Sequence, residues 1–455
     1  MRHLLTACLT ALVLSACGSV PPSGRDGAIS AMPDLPPMRR FPASAARPPE
    51  RTNAEMARDF MDLSFSLESG RALPVLTRFE QPIRVRMTGA APPTAAEDLG
   101  RLLARLRNEA GIDIAETASG PAQITVEFLP RKVMQRLVPR AACFVAPRVL
   151  SWDGYRRARR AELDWTTLTH RDVAAIFIPN DTAPQEVRDC LHEELAQALG
   201  PLNDLYRLPD SVFNDDNIHT VLTGFDMLML RATYAPELRS GMAAAEVADR
   251  LPRLLARLNP AGERGGAPLP DPTPRAYADA IETALGPGTF AARRRTAARE
   301  ALDIAEARGW RDARTGFAWL ALGRLSLGHD AETARIAFHE AAAIYESRPE
   351  LALQLAHADM QLAAFALSDG QAEEVILRTG RALPLAARAE NAALLASLLM
   401  VRAEALDLIG RSSEARQVRL DSLGWARYGF ASDAEVLLRL MNIAALSPAT
   451  RMRQR

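Results

Sequence analysis

Lysine is almost missing from this 455-residue sequence: Lys132 is the only one, and arginine supplies the rest of the 55 basic residues. So lopsided a ratio, beside abundant alanine, points to a GC-rich genome, and the arginines read as solvated helix faces. Net charge is also lacking, because 55 acidic residues balance the basic ones. That leaves no basic footprint, so no nucleic-acid partner is expected. Aromatic residues are only 5% of a chain that is 48% hydrophobic, which suits an Ala/Leu-rich, largely helical protein. Long apolar runs are absent apart from Leu4 to Ala16, which is too short to span a bilayer as a lasting helix. No G-x-S-x-G, P-loop or dinucleotide fingerprint is present, so the commonest nucleophile and phosphate chemistries find no support.

What is present begins at the N-terminus. Arg2 and His3 precede the apolar run, which closes on Leu14-Ser15-Ala16-Cys17-Gly18. This resembles a bacterial lipobox, in which the signal peptide (residues 1–16) is removed and Cys17 is acylated. The lipid would then be the only membrane anchor and would place the protein in the bacterial envelope, facing the periplasm. Residues 17–51 are rich in Pro, Ala, Ser and Arg, with Pro-Pro pairs at 21, 36 and 48, and read as an extended tether.

Of the four cysteines, Cys8 leaves with the signal peptide and Cys17 is lipidated. Cys143 and Cys190 remain as an even pair in an exported chain, which predicts a disulfide. Metal ligation and a nucleophilic thiol are the alternatives. No C-x-x-C occurs, and His192 stands too close to Cys190 in sequence to share its helix face.

The length allows two or three domains. Residues 52–260 read as mixed α/β. Apolar periodicity predicts helices near 53–67, 94–110 and 184–199, the second ended by Gly111 and the third by Gly200. Strands are expected near 83–87, 112–115, 124–128, 142–145 and 174–178. Residues 261–274 look like a Pro-rich linker. Residues 275–455 are helical almost throughout, with Gly328, Gly370 and Gly410 expected at hairpin turns about forty residues apart. The unit from Trp319 through Leu322-Gly323 to Ala334, Phe338 and Ala341 resembles a tetratricopeptide repeat. A non-repetitive helical bundle is the alternative.

The informative stretch is Cys190-Leu-His-Glu-Glu-Leu-Ala-Gln-Ala-Leu-Gly-Pro-Leu-Asn-Asp204. His192-Glu193 starts an H-E-x-x-H motif that fails at Ala196. One register on, Glu193, Glu194, Gln197, Gly200 and Asn203 fall on the skeleton of H-E-x-x-H-x-x-G-x-x-H, the metzincin motif. Further along, Ser211-Val-Phe-Asn214 looks like the Met-turn of matrixin-type proteases, with Phe213 in place of methionine. Residues 52–260 thus resemble a bacterial lipoprotein family of unknown function whose α+β domain looks like a ligand-stripped metzincin. All three histidine positions are replaced, and Glu194 stands where the general base would be.

On a helical wheel Val187, Leu191, Leu195, Ala198 and Leu199 form one apolar arc. Glu194 borders it, with Gln197 and Glu193 beyond and His192 past the opposite edge. A carboxylate so placed is partly desolvated, which makes Glu194 the candidate for a perturbed pKa, either in a cleft or as a structural acid. Glu193, Gln197, Asn203 and Asp204 offer oxygen donors that suit Ca²⁺ or Mg²⁺ better than zinc, and no cofactor is expected. Asn214-Asp-Asp-Asn217 is read as a turn and helix cap, and Asp226 as an acid that pairs with Arg231 or faces the Glu194 helix. These features predict a membrane-anchored, non-catalytic binding or scaffold protein with a partner surface on its helical repeats. The alternative is a hydrolase with Glu194 as general base.

Overall fold

The computed structural model describes residues 35–42, 44–266 and 269–453, so the signal peptide and Cys17 lie outside the described residues. The chain divides into two compact units, one of residues 42–273 and one of residues 274–455 together with the segment that ends at Phe41.

The first unit opens with α1 (Asn53–Ser64), started by a capping box in which Thr52 and Glu55 satisfy each other's backbone N–H groups. Strand β1 (Ile83–Gly89) leads to α2 (Ala95–Ala110). The α2 helix buries Leu99, Leu102, Leu103 and Leu106 along one stripe and ends at Gly111, whose φ of 70° is left-handed. Then follow β2 (Ile114–Glu116), β3 (Ile124–Leu129), α3 (Arg131–Gln135), β4 (Phe144–Pro147), α4 (Trp152–Arg157), β5 (Ala174–Pro179) and α5 (Pro184–Leu199). The unit closes with α6 (Gly224–Thr233) and α7 (Ala244–Leu258).

The five strands form one mixed sheet in the order β2-β1-β3-β5-β4. All neighbours are parallel except β4, which runs antiparallel to β5 at the edge. Every residue of β5 is buried, as expected of a strand covered on both faces. Alternation sorts its side chains: Ala174, Ile176 and Ile178 join the main core with α1, α2 and α5, while Ala175 and Phe177 face a smaller core around Met134 and Trp152. The predicted strands and helices are all present, with ends displaced by a few residues. The largest shift is at α1, which stops at Ser64, after which the chain turns back through Gly70 to bridge Ser66 to Ala72.

Part of the stretch read as tether lies against this unit. The Ala46 N–H donates to Glu109 Oε2 at 3.1 Å, and Arg51 pairs with Asp59 and sits over the Phe225 ring at 4.7 Å. In the linker stretch, Arg58 donates to the Pro270 carbonyl at 2.7 Å.

The second unit is all-helical. It comprises α8 (Arg275–Leu285), α9 (Ala291–Ala307), α10 (Ala313–Ser326), α11 (Ala331–Glu346), α12 (Ala352–Ser368), α13 (Ala372–Arg388), α14 (Ala392–Leu408), α15 (Ser412–Gly429), α16 (Asp433–Ala444) and α17 (Pro448–Arg453). The helices pack as successive pairs: α8 with α9, α10 with α11, α12 with α13, and α14 with α15. Gly328, Gly370 and Gly410 fall in the turns of the last three pairs. Close helix approach explains a fourth glycine. A Cβ on Gly323 of α10 would come within 2.6 Å of the Phe338 ring on α11, so Gly323 and Phe338 make a small-against-large contact. Residues 35–41 also belong to this unit. Phe41 stacks on Trp425 with ring centroids 4.4 Å apart, and the Arg39 N–H donates to the Gly424 carbonyl at 2.9 Å.

Candidate functional site

Helix α5 begins with Pro184 at its first turn and buries Val187, Leu191, Leu195, Ala198 and Leu199 in the main core. That burial fixes the helix rotation and carries Glu194 inward at the edge of the apolar arc. Glu194 is only 5% exposed. It accepts a hydrogen bond from the Val145 backbone of β4, and its Oε2 is buried with no partner.

The same edge strand is fastened to α5 a second time. Cys143, just before β4, forms a disulfide with Cys190 of α5, their Cα atoms 6.0 Å apart. The predicted pairing is therefore present, and it sits one helical turn from Glu194.

Glu194 belongs to a cluster of acids. Glu193 and Asp204 are half-buried beside it, and Glu68 and Asp215 are exposed. Asp204 is hydrogen-bonded to Glu68, a contact between carboxyls that requires a shared proton. Tyr206 donates its hydroxyl to Asp215 at 2.6 Å. Among the described residues, the charges that act on Glu193, Glu194 and Asp204 are those of other carboxylates. Burial, reinforced by Asp215, Glu68 and Asp189, pushes Glu193 up to about 8. Burial and then the neighbouring acids hold Glu194 and Asp204 well above the usual carboxylate range, the Val145 N–H pulling Glu194 weakly the other way. On the preceding turn, burial outweighs the adjacent Arg188 and lifts Asp189 to about 7. Burial thus favours the neutral form of Glu193, Glu194, Asp204 and Asp189.

The other motif residues do structural work. The Asn203 side chain donates to the Asp62 carbonyl at 2.9 Å, tying the loop after α5 to the end of α1. Gln197 is buried and Phe213 is wholly inside the core. Gly200 ends α5 as expected, with a φ of −169°. It packs closely on α6, where a Cβ would lie 3.1 Å from the Thr233 side chain. His192 stays apart from the acids, as its wheel position implied. It is buried, its Nδ1 accepts the Leu222 N–H at 3.1 Å, and burial with Arg105 and Arg188 nearby holds its pKa well down.

Asp226 does neither of the two things expected of it. It accepts from Ser211 Oγ at 2.5 Å and from the Val212 and Thr223 N–H groups, bracing the 211–213 turn against the start of α6. Asn214 to Asn217 form a turn, with left-handed Asp215 and Asn217, and no helix starts there. A cavity of about 60 Å³ lined by Pro147, Arg148, Trp165 and His170, among others, shares no residue with the acid cluster.

Glu68 and Arg171 escaped the sequence reading, and Asp215 was read only as part of a turn. Glu68 and Asp215 come from loops whose approach to α5 no local pattern marks. Arg171 is buried with no carboxylate beside it. It donates to the carbonyls of Gln197, Ala198 and Gly200, each at 2.6 Å, and to Thr77 Oγ1 at 3.2 Å. It thereby satisfies the orphan carbonyls at the α5 C-terminus and opposes the helix dipole, while burial lowers its pKa to about 10.

Zinc, which a metzincin-like reading implies, does not fit these residues. No imidazole occupies a ligand position: Glu193, Gln197 and Asn203 stand there instead, and Asn203 Nδ2 is tied to the Asp62 carbonyl. Among the described residues no group of three or more His, Cys, Asp or Glu is arranged to hold a metal ion.

Residues 53–253 match the family described as "Protein of unknown function (DUF2927)". The first unit carries a DUF2927 domain. It runs from the start of α1 into α7 and so includes the whole sheet, the disulfide and the acid cluster. Neither a curated protein nor a solved structure matches the chain.

Proposed function

We propose that this chain is an envelope lipoprotein, tethered through Cys17, whose DUF2927 domain is a ligand-stripped, metzincin-like fold that binds without catalysing. In this reading the helical unit is a tetratricopeptide-like array that offers a second surface to a protein partner. The order of strands and helices that precedes α5 supports the likeness, and the edge strand β4 is fastened to the motif helix by Val145 and Cys143. Gly323 packed under Phe338 supports the repeat reading of α10 and α11.

The observation that carries the non-catalytic reading is the state of Glu194. A general base must be ionised to take a proton. Glu194 is buried beside other carboxylates, and that burial, reinforced by Glu193 and Glu68, raises its pKa well above the usual carboxylate range and so disfavours the ionised form. The hydrolase reading needs that same carboxyl charged beside a Lewis acid, and α5 presents no imidazole to hold one. Peptide libraries incubated with the detergent-solubilised chain, with and without added zinc, test this by mass spectrometry. No cleavage is expected. Cleavage that Glu194→Gln abolishes while the fold persists would establish the hydrolase instead.

A further inference from the structure

Among the described residues, the charges acting on Glu193, Glu194 and Asp204 are those of other acids, an environment that suits a positively charged visitor. Glu194 is 5% exposed with Oε2 unpartnered, and Oδ1 of Asp204 is likewise buried without a partner. Buried acceptors in folded proteins are nearly always satisfied, and each exception calls for a cause. Here two such oxygens belong to one cluster, whose members come from α5, the loop after it, the loop after α1 and the turn before α6. Exposure is graded across it: Glu194 is deepest, Glu193 and Asp204 are intermediate, and Glu68 and Asp215 reach solvent. The groups facing the cluster are Asp189 of α5 and the Tyr206 hydroxyl, with Arg188 held against Asp189.

Among the described residues no group of three or more His, Cys, Asp or Glu is arranged to hold a metal ion, which must draw its oxygens to within about 2.6 Å of one centre. A guanidinium spreads five N–H donors over a planar fork and can bond carboxylates that stand apart.

We propose that Glu193, Glu194 and Asp204, with Glu68 and Asp215 at the solvent edge, bind a basic side chain, an arginine above all, presented by a peptide segment of a partner. This inference rests on the reading of the DUF2927 domain as a binding module. The arriving guanidinium supplies donors to Glu194 Oε2 and Asp204 Oδ1 and takes over the role that protons play in the free protein. Protons are therefore released to solvent as the cation binds.

Isothermal titration of the detergent-solubilised full chain with the peptide acetyl-Ala-Arg-Ala-Arg-Ala-amide tests this at pH 7 in two buffers of different ionisation enthalpy. Binding with net proton release is expected. Replacing both arginines by citrulline, which keeps the shape and removes the charge, is expected to abolish it. Glu193→Gln, at a half-exposed position that tolerates an amide, is expected to weaken binding about tenfold and reduce the proton release, about the worth of one charge-assisted hydrogen bond. Glu300→Gln, on the other unit, is expected to change neither. Equal binding of the citrulline peptide, or affinity and proton release unchanged in Glu193→Gln, would overturn the inference. Tight binding of calcium chloride alone, displacing the peptide, would overturn it in favour of a metal site. The same samples report cleavage: a peptide both bound and cut leaves cation recognition standing and removes the non-catalytic reading, whereas no binding and no cleavage does the reverse.

Discussion

Glu194 accepts its hydrogen bond from Val145, two residues beyond Cys143, whose disulfide partner Cys190 precedes Glu194 by one helical turn. One covalent and one polar link thus hold the edge strand β4 to the helix that carries the acid cluster. The disulfide is the stronger constraint. It closes a loop of 47 residues, for which chain entropy gives about 4 kcal/mol. Unfolding of the Cys143→Ser, Cys190→Ser double variant in urea is expected to show a loss of that order. Hydrogen exchange at Val145 should accelerate more than at Ile176, on the strand paired to it. An unchanged midpoint would mean that the two elements are held by packing alone.

The acid cluster makes stability depend on pH in a definite direction. Glu193 and Asp189, raised by burial to about 8 and about 7, retain protons in the folded state that the unfolded chain has already released. Their contribution is fully present below the ordinary carboxylate range and is lost as the pH rises through 7 and 8. His219 acts oppositely. Burial lowers it to about 4, so its contribution is present above its ordinary value of 6.5 and lost as the pH falls through 4. Thermal melts are expected to show the midpoint falling between about pH 6 and pH 9, with a shallower fall in Glu193→Gln. A midpoint that rises over that interval would contradict the assignment.

Arg171 should matter to stability more than its surroundings in the sequence suggest. Its removal leaves three carbonyls at the α5 C-terminus without donors. Arg171→Met, which keeps part of the stem, is expected to cost about 3 kcal/mol. Denaturant unfolding measures it, and a loss below about 1 kcal/mol would show that water replaces the guanidinium.

That residue also marks the limit of what the sequence discloses. The strands, the helices and the rotation of α5 were legible because burial imposes periods of two and 3.6 on Ile124 to Leu129 and on Val187 to Leu199. Cys143 with Cys190 was legible by elimination. The partners of α5 were not: Glu68, Arg171 and Asp215 reach it from three separate loops, and loop approach leaves no period to read. The same holds for Asp226, whose partners Ser211 and Val212 form a turn that sequence spacing alone does not place against α6.

The proposed anchor is tested at Cys17. Cys17→Ser is expected to move the protein out of the detergent phase in a partitioning assay, because the proposal makes the lipid on Cys17 the anchor. Retention of the variant in the detergent phase would remove the lipoprotein reading.

The central claim is that the metzincin-like site has lost its metal. Zinc content of the purified full chain, after equilibration with zinc and removal of loosely held ions, tests it most directly. Well below one zinc per chain is expected, because Glu193, Gln197 and Asn203 supply no imidazole and Asn203 is committed to Asp62. One tightly held zinc per chain, lost in Glu193→Gln, would contradict the account.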